Sequence, residues 1–444
     1  GSAVLDNVHN YGAVTVEEST TCGSIICGGL IAYQSSGTAY PGDGHGSISN
    51  SSNNAPITVL CKTYPAELVT DNTALYYRVG GLAGWTQHYI NNCNNLEGGK
   101  VTCRGTLYHA DTSNYTICVG GLVGYKTVNA IDNSRNDADL DINLNMTTAE
   151  SYDLTKVRLN VGGISGYTNL PCRNVTNNGD VEFSGDLAGQ LRIGGVLGQG
   201  ASVSAAFPSY DKCVNNGKVT IKEGSTMGDQ LMIAGVAAYI NKNNECTNNG
   251  AVTIENNVSW GGLKTYIAGA LGYTAGNADK VTNNGPLSIG DGCKITTTFT
   301  TDAKLYIYIG GTLGLLYAAN ATNMENTAKG TVTVGKSTLD AITFVGGCLG
   351  DAPAVKEDGK TKVNDLIENC TNRAAITYGG SCSINQAHYV AGCLFYVHEV
   401  VVSKNYYAAK TNNNYNYGAV KVEGGEFYDL KVGGVSAYLG GTTT

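Results

Sequence analysis

The chain has 444 residues, a formal net charge of −8 and an unusual composition. Gly accounts for 60 residues, Pro for only 7, and charged residues for 14%, where about 25% is usual. Gly does not recur at every third position, which excludes collagen, and a hydrophobic content of 42% excludes intrinsic disorder. Because Lys and Arg form no cluster, we expect neither nucleic acid nor an anionic membrane surface as a partner.

Targeting signals and cysteines bear on the compartment. No stretch approaches the ~18 apolar residues of a membrane span, so we expect no span. Residues 1–11 lack the basic and apolar character of a signal peptide, so we expect that any leader was removed or lies upstream. The 14 cysteines include no CxxC pair, which favours disulfides in an oxidising compartment over zinc sites. We therefore expect a secreted or cell-surface protein without a cofactor.

Taken in chain order, the sequence repeats one unit about eleven times. The clearest part is a glycine doublet in the motif Val/Ile-Gly-Gly-apolar-x-Gly/Ala-Tyr, with Ala at some first positions. Successive doublets lie 32 to 52 residues apart, so the unit is constant while its loops vary, as solenoids permit. The doublets begin at Gly28, Gly80, Gly120, Gly162, Gly194, Ala234, Ala268, Gly310, Gly346, Ala391 and Gly433. The sequence predicts one continuous repeat domain over residues 1–444, with units ending near residues 33, 85, 125, 167, 199, 239, 273, 315, 351, 396 and 438.

An Asn-rich turn precedes a short strand in each unit. Residues 213–217 read Cys-Val-Asn-Asn-Gly and lead into Val219-Thr220-Ile221, and residues 246–254 repeat the pattern closely. Asn-Gly accepts a positive φ at low cost, so we expect it to turn the chain into a strand with one buried face. Weaker copies begin at Asn10, Asn53, Asn94, Asn177, Asn283, Asn326, Asn372 and Asn416, and the most degenerate covers residues 136–142.

The segment before each doublet also alternates, so that Leu191 and Ile193 point to one side and Arg192 to the other. Glycine doublets at one repeated position suit corners where backbones approach closely. One unit has too few core-facing side chains to fold alone, so the units must stack. We predict an all-β fold, a β-solenoid (parallel β-helix-like) of about eleven ~40-residue repeats, forming a rod roughly 50 Å long. A helical solenoid is disfavoured because no segment keeps the 3.6-residue period, and a propeller is the remaining alternative.

The unit Val119-Gly120-Gly121-Leu122-Val123-Gly124-Tyr125, with Asn-Asn-Gly-x-Val-Thr preceding the doublet in the clearer copies, resembles the GLUG repeat. That repeat occurs in large secreted surface proteins and adhesins. The resemblance extends over essentially the whole chain, although the units here are longer and richer in cysteine. It implies a surface-exposed or secreted β-repeat stalk, and no catalytic residue carries over.

Two sets of aromatic residues are candidates for packing or for recognition. The first stands after the doublets and predicts a stacked ladder that either caps the core or forms a sugar-binding or self-association strip; it comprises Tyr33, Trp85, Tyr125, Tyr167, Tyr239, Tyr273, Tyr396 and Tyr438. The second stands before the doublets, with several members on the predicted outward face, and is the candidate surface for a partner or glycan; it comprises Tyr76, Tyr77, Tyr266, Tyr306, Tyr308 and Tyr389.

Cysteines at equivalent positions of adjacent units are candidates for disulfides, because neighbouring coils place them about 5 Å apart. Cys348 and Cys393 form one such set, and Cys172, Cys213 and Cys246 form another, in which at least one thiol pairs elsewhere or stays free. Two further candidate pairs are Cys22 with Cys27 and Cys61 with Cys103. The alternative for all of them is a buried ladder of apolar thiols.

Two polar patterns have ordinary explanations. Asn-x-Ser/Thr sequences are candidate N-glycosylation sites, although their number is what chance predicts; they occur at Asn50, Asn114, Asn145, Asn174, Asn257, Asn320 and Asn369. Asp137, Asp139 and Asp141 are predicted to share one strand face and are weak candidates for Ca²⁺ ligands or glycosidase carboxylates. A solvated acidic strand is the alternative. No histidine lies in a recognised catalytic motif, so we expect neither a catalytic residue nor an enzyme.

The two ends of the chain carry similar units. Residues 10–16 and 416–422 agree almost letter for letter, and neither end shows an amphipathic helix that would cap a solenoid. Like ends favour head-to-tail stacking, so we expect an extracellular structural protein that polymerises with itself into a filament or stalk. The alternatives are a surface adhesin or carbohydrate-binding repeat protein, which would bind glycans or host-cell components, and a polysaccharide-degrading β-helix enzyme.

Overall fold

The computed structural model describes residues 4–20, 23–34, 46–61, 76–109, 116–148, 157–200, 209–297, 304–317, 319–352, 366–397, 399–402, 405–408 and 410–439. Over these residues the protein is all-β and has no helix, and its strands form long parallel sheets stacked in register. The predicted β-solenoid is therefore confirmed. Each turn of the solenoid, a coil, passes through four faces, named first to fourth in chain order.

The first face carries two short strands per coil on either side of a bend. One residue with positive φ makes the bend, such as Asn92 with a φ of 52°. Asn tolerates this left-handed backbone better than most residues, which explains its frequency there. The strands of this face are Val4–Asp6, His9–Asn10, Ser47–Ser49, Ser52–Asn53, Tyr89–Asn91, Asn94–Asn95, Ile131–Asp132, Arg135–Asn136, Cys172–Asn177, Tyr210–Asn215, Asn243–Asn244, Thr247–Asn248, Ala278–Asp279, Thr282–Asn283, Ala321–Thr322, Glu325–Asn326, Leu366–Glu368, Thr371–Asn372, Lys410–Asn412 and Tyr415–Asn416.

The second face follows the Asn-rich turn and alternates between core and solvent. Val219 and Ile221 pair in register with Val252 and Ile254 of the next coil, and all four are buried. The strands of this face are Val14–Val16, Ile57–Cys61, Val101–His109, Leu140–Thr148, Val181–Ser184, Asp186–Leu187, Val219–Ile221, Thr226–Met227, Val252–Ile254, Ser259–Trp260, Leu287–Ile289, Lys294–Ile295, Val332–Val334, Ile376–Tyr378 and Val420–Val422.

The third face ends at the first residue of each doublet, and the fourth face begins after it. Leu191 and Ile193 of the third face point into the core as predicted. The third-face strands are Ile25–Gly28, Tyr77–Gly80, Thr116–Gly120, Arg158–Gly162, Gln190–Gly194, Leu231–Ala234, Lys264–Ala268, Tyr306–Gly310, Ile342–Gly346, Ala387–Ala391 and Asp429–Gly433. The fourth-face strands are Ile31–Gln34, Ala83–Thr86, Val123–Lys126, Ser165–Thr168, Leu197–Gly200, Ala237–Ile240, Leu271–Thr274, Leu313–Leu316, Leu349–Asp351, Leu394–Val397 and Ser436–Leu439.

One pair of strands leaves the solenoid. Glu399–Val402 and Asn405–Ala408 form an antiparallel hairpin in the connection between the last two coils.

Each coil encloses two hydrophobic cores instead of one. The first core lies between the second and third faces and contains Val219 and Ile233, and the second lies between the first and fourth faces and contains Cys213 and Leu197. The cores are separated where the second glycine of a doublet meets an asparagine: a Cβ on Gly195 would lie 2.2 Å from Asn215 Cγ. Close backbone approach therefore explains the doublets, as the sequence predicted.

The positive φ expected at the Asn-Gly turn is wrong. Neither Asn216 nor Gly217 has a positive φ, and the left-handed residue on the first face of that coil is Lys212. Glycine is required at 217 for a steric reason, since a Cβ there would lie 1.9 Å from the carbonyl oxygen of Gly179 in the preceding coil.

The steric role of the doublet predicts that Gly→Ala at its second position destabilises the fold in an internal coil but not in the last described coil. A Cβ on Gly163 would lie 2.1 Å from the Gly195 carbonyl oxygen of the next coil, whereas a Cβ on Gly434, the same position in the last described coil, meets nothing within 4 Å. We expect Gly163→Ala to lower the free energy of unfolding by about 3 kcal/mol or more and Gly434→Ala by less than about 0.5 kcal/mol. Urea denaturation measures both, and equal effects would contradict the steric explanation.

Candidate functional site

A continuous row of asparagine amides runs along the solenoid between the two cores. We call it the asparagine ladder. In ten successive steps, Nδ2 of one asparagine donates to Oδ1 of the asparagine in the next coil at 2.7–2.9 Å. Its members are Asn10, Asn53, Asn95, Asn136, Asn177, Asn215, Asn248, Asn283, Asn326, Asn372 and Asn416.

The ladder amides between the two end coils are buried and use both of their donor hydrogens. Asn215 is 0% exposed; its Nδ2 also donates to the Gly217 carbonyl at 2.7 Å, and its Oδ1 accepts from Asn177. Asn alone among side chains of this length supplies two donors and an acceptor. Sequence reasoning assigned these residues to turns and missed the ladder, although an Asn recurs at this position in every unit.

The two ends of the ladder are complementary. Within the described residues, Asn10 Oδ1 accepts only from the Gly12 N–H, and Asn416 Nδ2 donates only to the Gly418 carbonyl. The end coils also carry nearly all of the exposed large apolar side chains, namely Val4, Val8, Tyr11 and Tyr33 in the first coil and Tyr415, Tyr417, Tyr428, Val432 and Val435 in the last. Within the described residues, the end coils therefore present an acceptor and a donor that each lack a partner along the axis, together with apolar surface.

A second row of polar residues lies on the outside, at the bend of the first face. The candidate glycosylation residues Asn50, Asn174 and Asn369 occupy this bend and are exposed. Asn257 is exposed at another turn, while Asn145 and Asn320 are half-buried. Asn114 lies outside the described residues. Glycosylation of all seven stays a prediction.

The aromatic residues after the doublets form a row with the spacing of the coils. Tyr125 and Tyr167 stack at 4.8 Å between ring centroids, as do Tyr239 and Tyr273. Trp85 contacts the Tyr33 ring at 4.5 Å. The row is interrupted at Gln199, Leu315 and Asp351. The side chains of Tyr396 and Tyr438 lie outside the described residues.

The fourth face folds back over the outer side of the third face and covers it. We call the space between these faces the wedge. Tyr266 stands edge-on to Tyr273 at 5.3 Å, and Arg78 places its guanidinium carbon 4.0 Å from the Trp85 ring and 3.6 Å from the Tyr125 ring. Side chains on the outer side of the third face therefore pack against the fourth face and form a third packed region beside the two cores.

This packing corrects the prediction of an exposed tyrosine surface. Tyr266 and Tyr308 are only 4% and 6% exposed, so the prediction is wrong for these two residues. Tyr77 points into the first core. Tyr76, Tyr306 and Tyr389 are half-buried, and their role in binding a partner or glycan stays a prediction.

The twelve cysteines whose side chains are described are all buried. The thiols of Cys213 and Cys246 contact each other, as do those of Cys348 and Cys393, in keeping with their predicted equivalence. Burial is the largest influence on the Cys348 thiol and raises its pKa, which disfavours the reactive thiolate. Disulfides at these two pairs stay predictions.

The remaining candidate cysteines do not lie opposite one another in the predicted pairs, or lie outside the described residues. Cys172 does not occupy the position of Cys213, because the residue opposite Cys213 is Val175 and Cys172 lies opposite Ile131; its predicted equivalence is wrong. Cys61 is opposite Gly105, two residues beyond Cys103, and the pairing of these two cysteines stays a prediction. Cys27 is buried in the first core. Cys22 and the Cys61 side chain lie outside the described residues.

The three aspartates do not form one acidic face. Asp141 forms ion pairs with Lys100 and Arg104 at 3.5 and 3.0 Å. Asp137 pairs with Arg135 at 2.8 Å, and Asp137 and Asp139 line a surface depression without Asp141. Among the described residues, no group of three or more His, Cys, Asp or Glu side chains is arranged to hold a metal ion. The predicted metal or glycosidase use of these aspartates is not supported by this geometry.

No family model, no curated protein and no solved structure matches this chain. The resemblance to the GLUG repeat therefore stays a prediction. The described residues also include no helix long and apolar enough to cross a membrane.

The asparagine ladder predicts that replacing one of its buried amides by a carboxylate of the same shape lowers the stability of the fold strongly. Asn215→Asp removes both amide donors and places a carboxylate in a fully buried position, so we expect the free energy of unfolding to fall by about 3–5 kcal/mol at pH 7. Asn216→Asp is the matched control, because that neighbouring side chain is exposed and donates only to Asn178. Chemical denaturation of the two variants measures the difference, and equal stabilities would show that the ladder contributes little.

Lys126 predicts a rise of stability with pH. Its ammonium is buried, donates to the carbonyls of His88 and Val128, and has its pKa lowered by burial to about 7. The unfolded chain binds the proton up to about pH 10.5, so stability is lowest below pH 7 and rises by several kcal/mol between pH 7 and 10. Lys126→Met should flatten this profile, while exposed Lys218→Met should leave it unchanged. A profile that keeps its slope in Lys126→Met would contradict this assignment.

Proposed function

We propose that this protein is an extracellular structural protein, a subunit of a filament or surface stalk in which end coils of successive copies stack head to tail. The observation that carries the proposal is the complementarity of the ladder ends: Asn416 has a free axial donor and Asn10 a free axial acceptor within the described residues. Stacking a second copy would join them as an eleventh link of the same kind.

The flanking residues fit the same register. When Asn416 lies below Asn10, Val420 and Val422 lie below Val14 and Val16, since both strands begin four residues after the ladder asparagine. Within the chain, Val14 and Val16 pair with Ile57 and Val59, and Val420 and Val422 pair with Ile376 and Tyr378. The contact would therefore resemble an internal step, with apolar side chains closing the first core.

The polarity of this contact favours an open assembly. The surface of the first coil meets the surface of the last coil, which is a heterologous contact, and all strands keep one direction along the axis. Each added copy leaves the same pair of end surfaces available. The extracellular location rests on the resemblance to secreted repeat proteins.

The alternatives have less support. The adhesin hypothesis relied on exposed tyrosines before the doublets, and Tyr266 and Tyr308 are buried. We propose no catalytic function, because neither the sequence nor the described residues offer a constellation for one.

A single methyl group should terminate the filament. At internal coils a Cβ on the second doublet glycine would clash with the next coil, as at Gly392, where it would lie 1.8 Å from the Gly434 carbonyl oxygen. Gly434→Ala leaves that coil undisturbed but would meet an incoming copy in the same way. We expect wild-type protein to form filaments visible by electron microscopy and Gly434→Ala to remain monomeric in sedimentation. Small fractions of the variant should shorten wild-type filaments, because its first coil still binds a wild-type last coil.

The control is Lys421→Ala, which changes an outward side chain of the same coil and should polymerise normally. Wild-type protein that stays monodisperse at high concentration, or Gly434→Ala that polymerises like wild type, would overturn the proposal.

A further inference from the structure

The aromatic row has a gap in the coil that contains Gln199. In the register of the fourth face, Gln199 stands between Tyr167 of the preceding coil and Tyr239 of the following coil. Two coil steps separate these rings by about 9.6 Å, which is the spacing at which one further ring fits between them. All three side chains are partly exposed to solvent among the residues that the structure describes.

Two guanidinium groups lie under this gap in the wedge. Arg192 is only 6% exposed; its Nη1 donates to Gln199 Oε1 at 2.6 Å and its Nη2 to Gln190 Oε1 at 3.3 Å. Nε of Arg192, Nε of Arg158 and Oδ1 of Asn160 are buried without a hydrogen-bond partner. Unsatisfied charged donors are rare in folded proteins because desolvating them is costly. Two such donors, on Arg192 and Arg158, point to a missing acceptor, whereas Asn160 Oδ1 lacks a donor and its Nδ2 donates to Gln199 Oε1 at 3.5 Å.

The local charge favours an anion. The carboxylate that influences both arginines is that of Asp229, which accepts from Gln190 Nε2 at 2.8 Å. Burial, and then the neighbouring Arg158, lower the pKa of Arg192 to about 10, so the group stays protonated at neutral pH. Two positive charges thus face one negative charge in a poorly hydrated space.

A third arginine of the wedge has different neighbours. Arg78 is enclosed by the rings of Tyr76, Trp85 and Tyr125 at 4.3, 4.0 and 3.6 Å, where the aromatic row is unbroken. Nε and Nη1 of Arg78 are also buried without a hydrogen-bond partner, but the three rings that enclose the guanidinium compensate in part for its lost hydration. Arg192 has a ring on one side only, with its guanidinium carbon 5.1 Å from Tyr239.

We propose that the gap between Tyr167 and Tyr239 binds an acidic sugar, with its carboxylate or sulfate on Arg192 and Arg158 and its ring between the two tyrosines. Guanidinium groups donate in pairs to oxyanions of this shape, and aromatic faces pack against the apolar faces of a ring. The anion takes the place of Gln199 Oε1 as acceptor from Arg192, so binding requires the Gln199 side chain to swing out. This proposal does not depend on the filament.

Isothermal titration calorimetry can test the site with four probes at low salt. They are a heparin-derived tetrasaccharide, tetragalacturonate, a neutral tetrasaccharide and inorganic sulfate. We expect at least one acidic tetrasaccharide to bind with a Kd at least tenfold below that of the neutral sugar or of inorganic sulfate. Which acidic sugar binds identifies the oxyanion as sulfate or carboxylate. Equal affinity for all four probes would overturn the proposal.

Two variants locate the binding. Arg192→Gln should weaken it at least tenfold, and Gln199→Tyr should do the same by completing the aromatic row and filling the gap. Because a stacked ring suits this position in the neighbouring coils, Gln199→Tyr should fold, which thermal denaturation verifies. Arg104→Gln is the control for charge, since Arg104 is exposed and pairs with Asp141 on another face. Undiminished binding by Gln199→Tyr, or an equal loss in Arg104→Gln, would overturn the site.

Discussion

The buried amide-to-amide hydrogen bond between successive coils is the constraint on which the rest of the structure depends. Each ladder asparagine must sit directly above the previous one, which fixes the register of the strands on both sides of the turn. The same amide fills the narrow region between the two cores, so the chain that passes opposite it has no room for a Cβ. The ladder asparagine can therefore be accommodated only where the residue packed against it is glycine, the second glycine of the doublet.

This arrangement explains how the loops can differ so much between coils. Successive doublets are separated by 32 to 52 residues, yet every ladder step has nearly the same hydrogen-bond length. The described strands of each face stay in register across these differences in length, and every coil keeps its ladder asparagine. A coil that slipped by one residue would lose its ladder hydrogen bonds, and an unpaired amide is costly in the low-dielectric interior. The same slip would also turn the apolar side chains of its strands from the core to the opposite face.

Much of the fold could be predicted from the sequence because it depends on local patterns. The alternation of Leu191, Arg192 and Ile193 and the repeated doublet indicated strands and corners, and the structure confirms both. Features that depend on the path of the chain could not be predicted in the same way. Tyr266 and Tyr308 are on the outer side of their strand, but the fourth face returns over that side and buries them. The two-residue period shows on which side of a strand a side chain lies, but it does not show whether another part of the chain covers that side.

Two errors had a signal in the sequence. Cys172 lies five residues before its ladder asparagine, whereas Cys213 and Cys246 each lie two residues before theirs, so counting from Asn177, Asn215 and Asn248 separates them. The ladder is visible in the sequence as an Asn at one position in all units, but an Asn-Gly pair predicts a turn and does not indicate that the Asn side chain is buried. The candidate oxyanion site needed three-dimensional information, because Arg158, Arg192 and Gln199 come together only through the wedge.

The small rise per coil has a mechanical consequence. About 40 residues occupy some 4.8 Å of the axis, whereas the same residues extend to roughly 130 Å when pulled straight. Because each coil bonds chiefly to its two neighbours, tension between the two ends of the rod would open coils one after another, beginning at an end. The segment of one opened coil would become nearly thirty times as long as the axial length that it occupied when folded, and the next coil would stay intact. A stack of this kind is thus short and stiff at low load and becomes a long, extensible tether at high load.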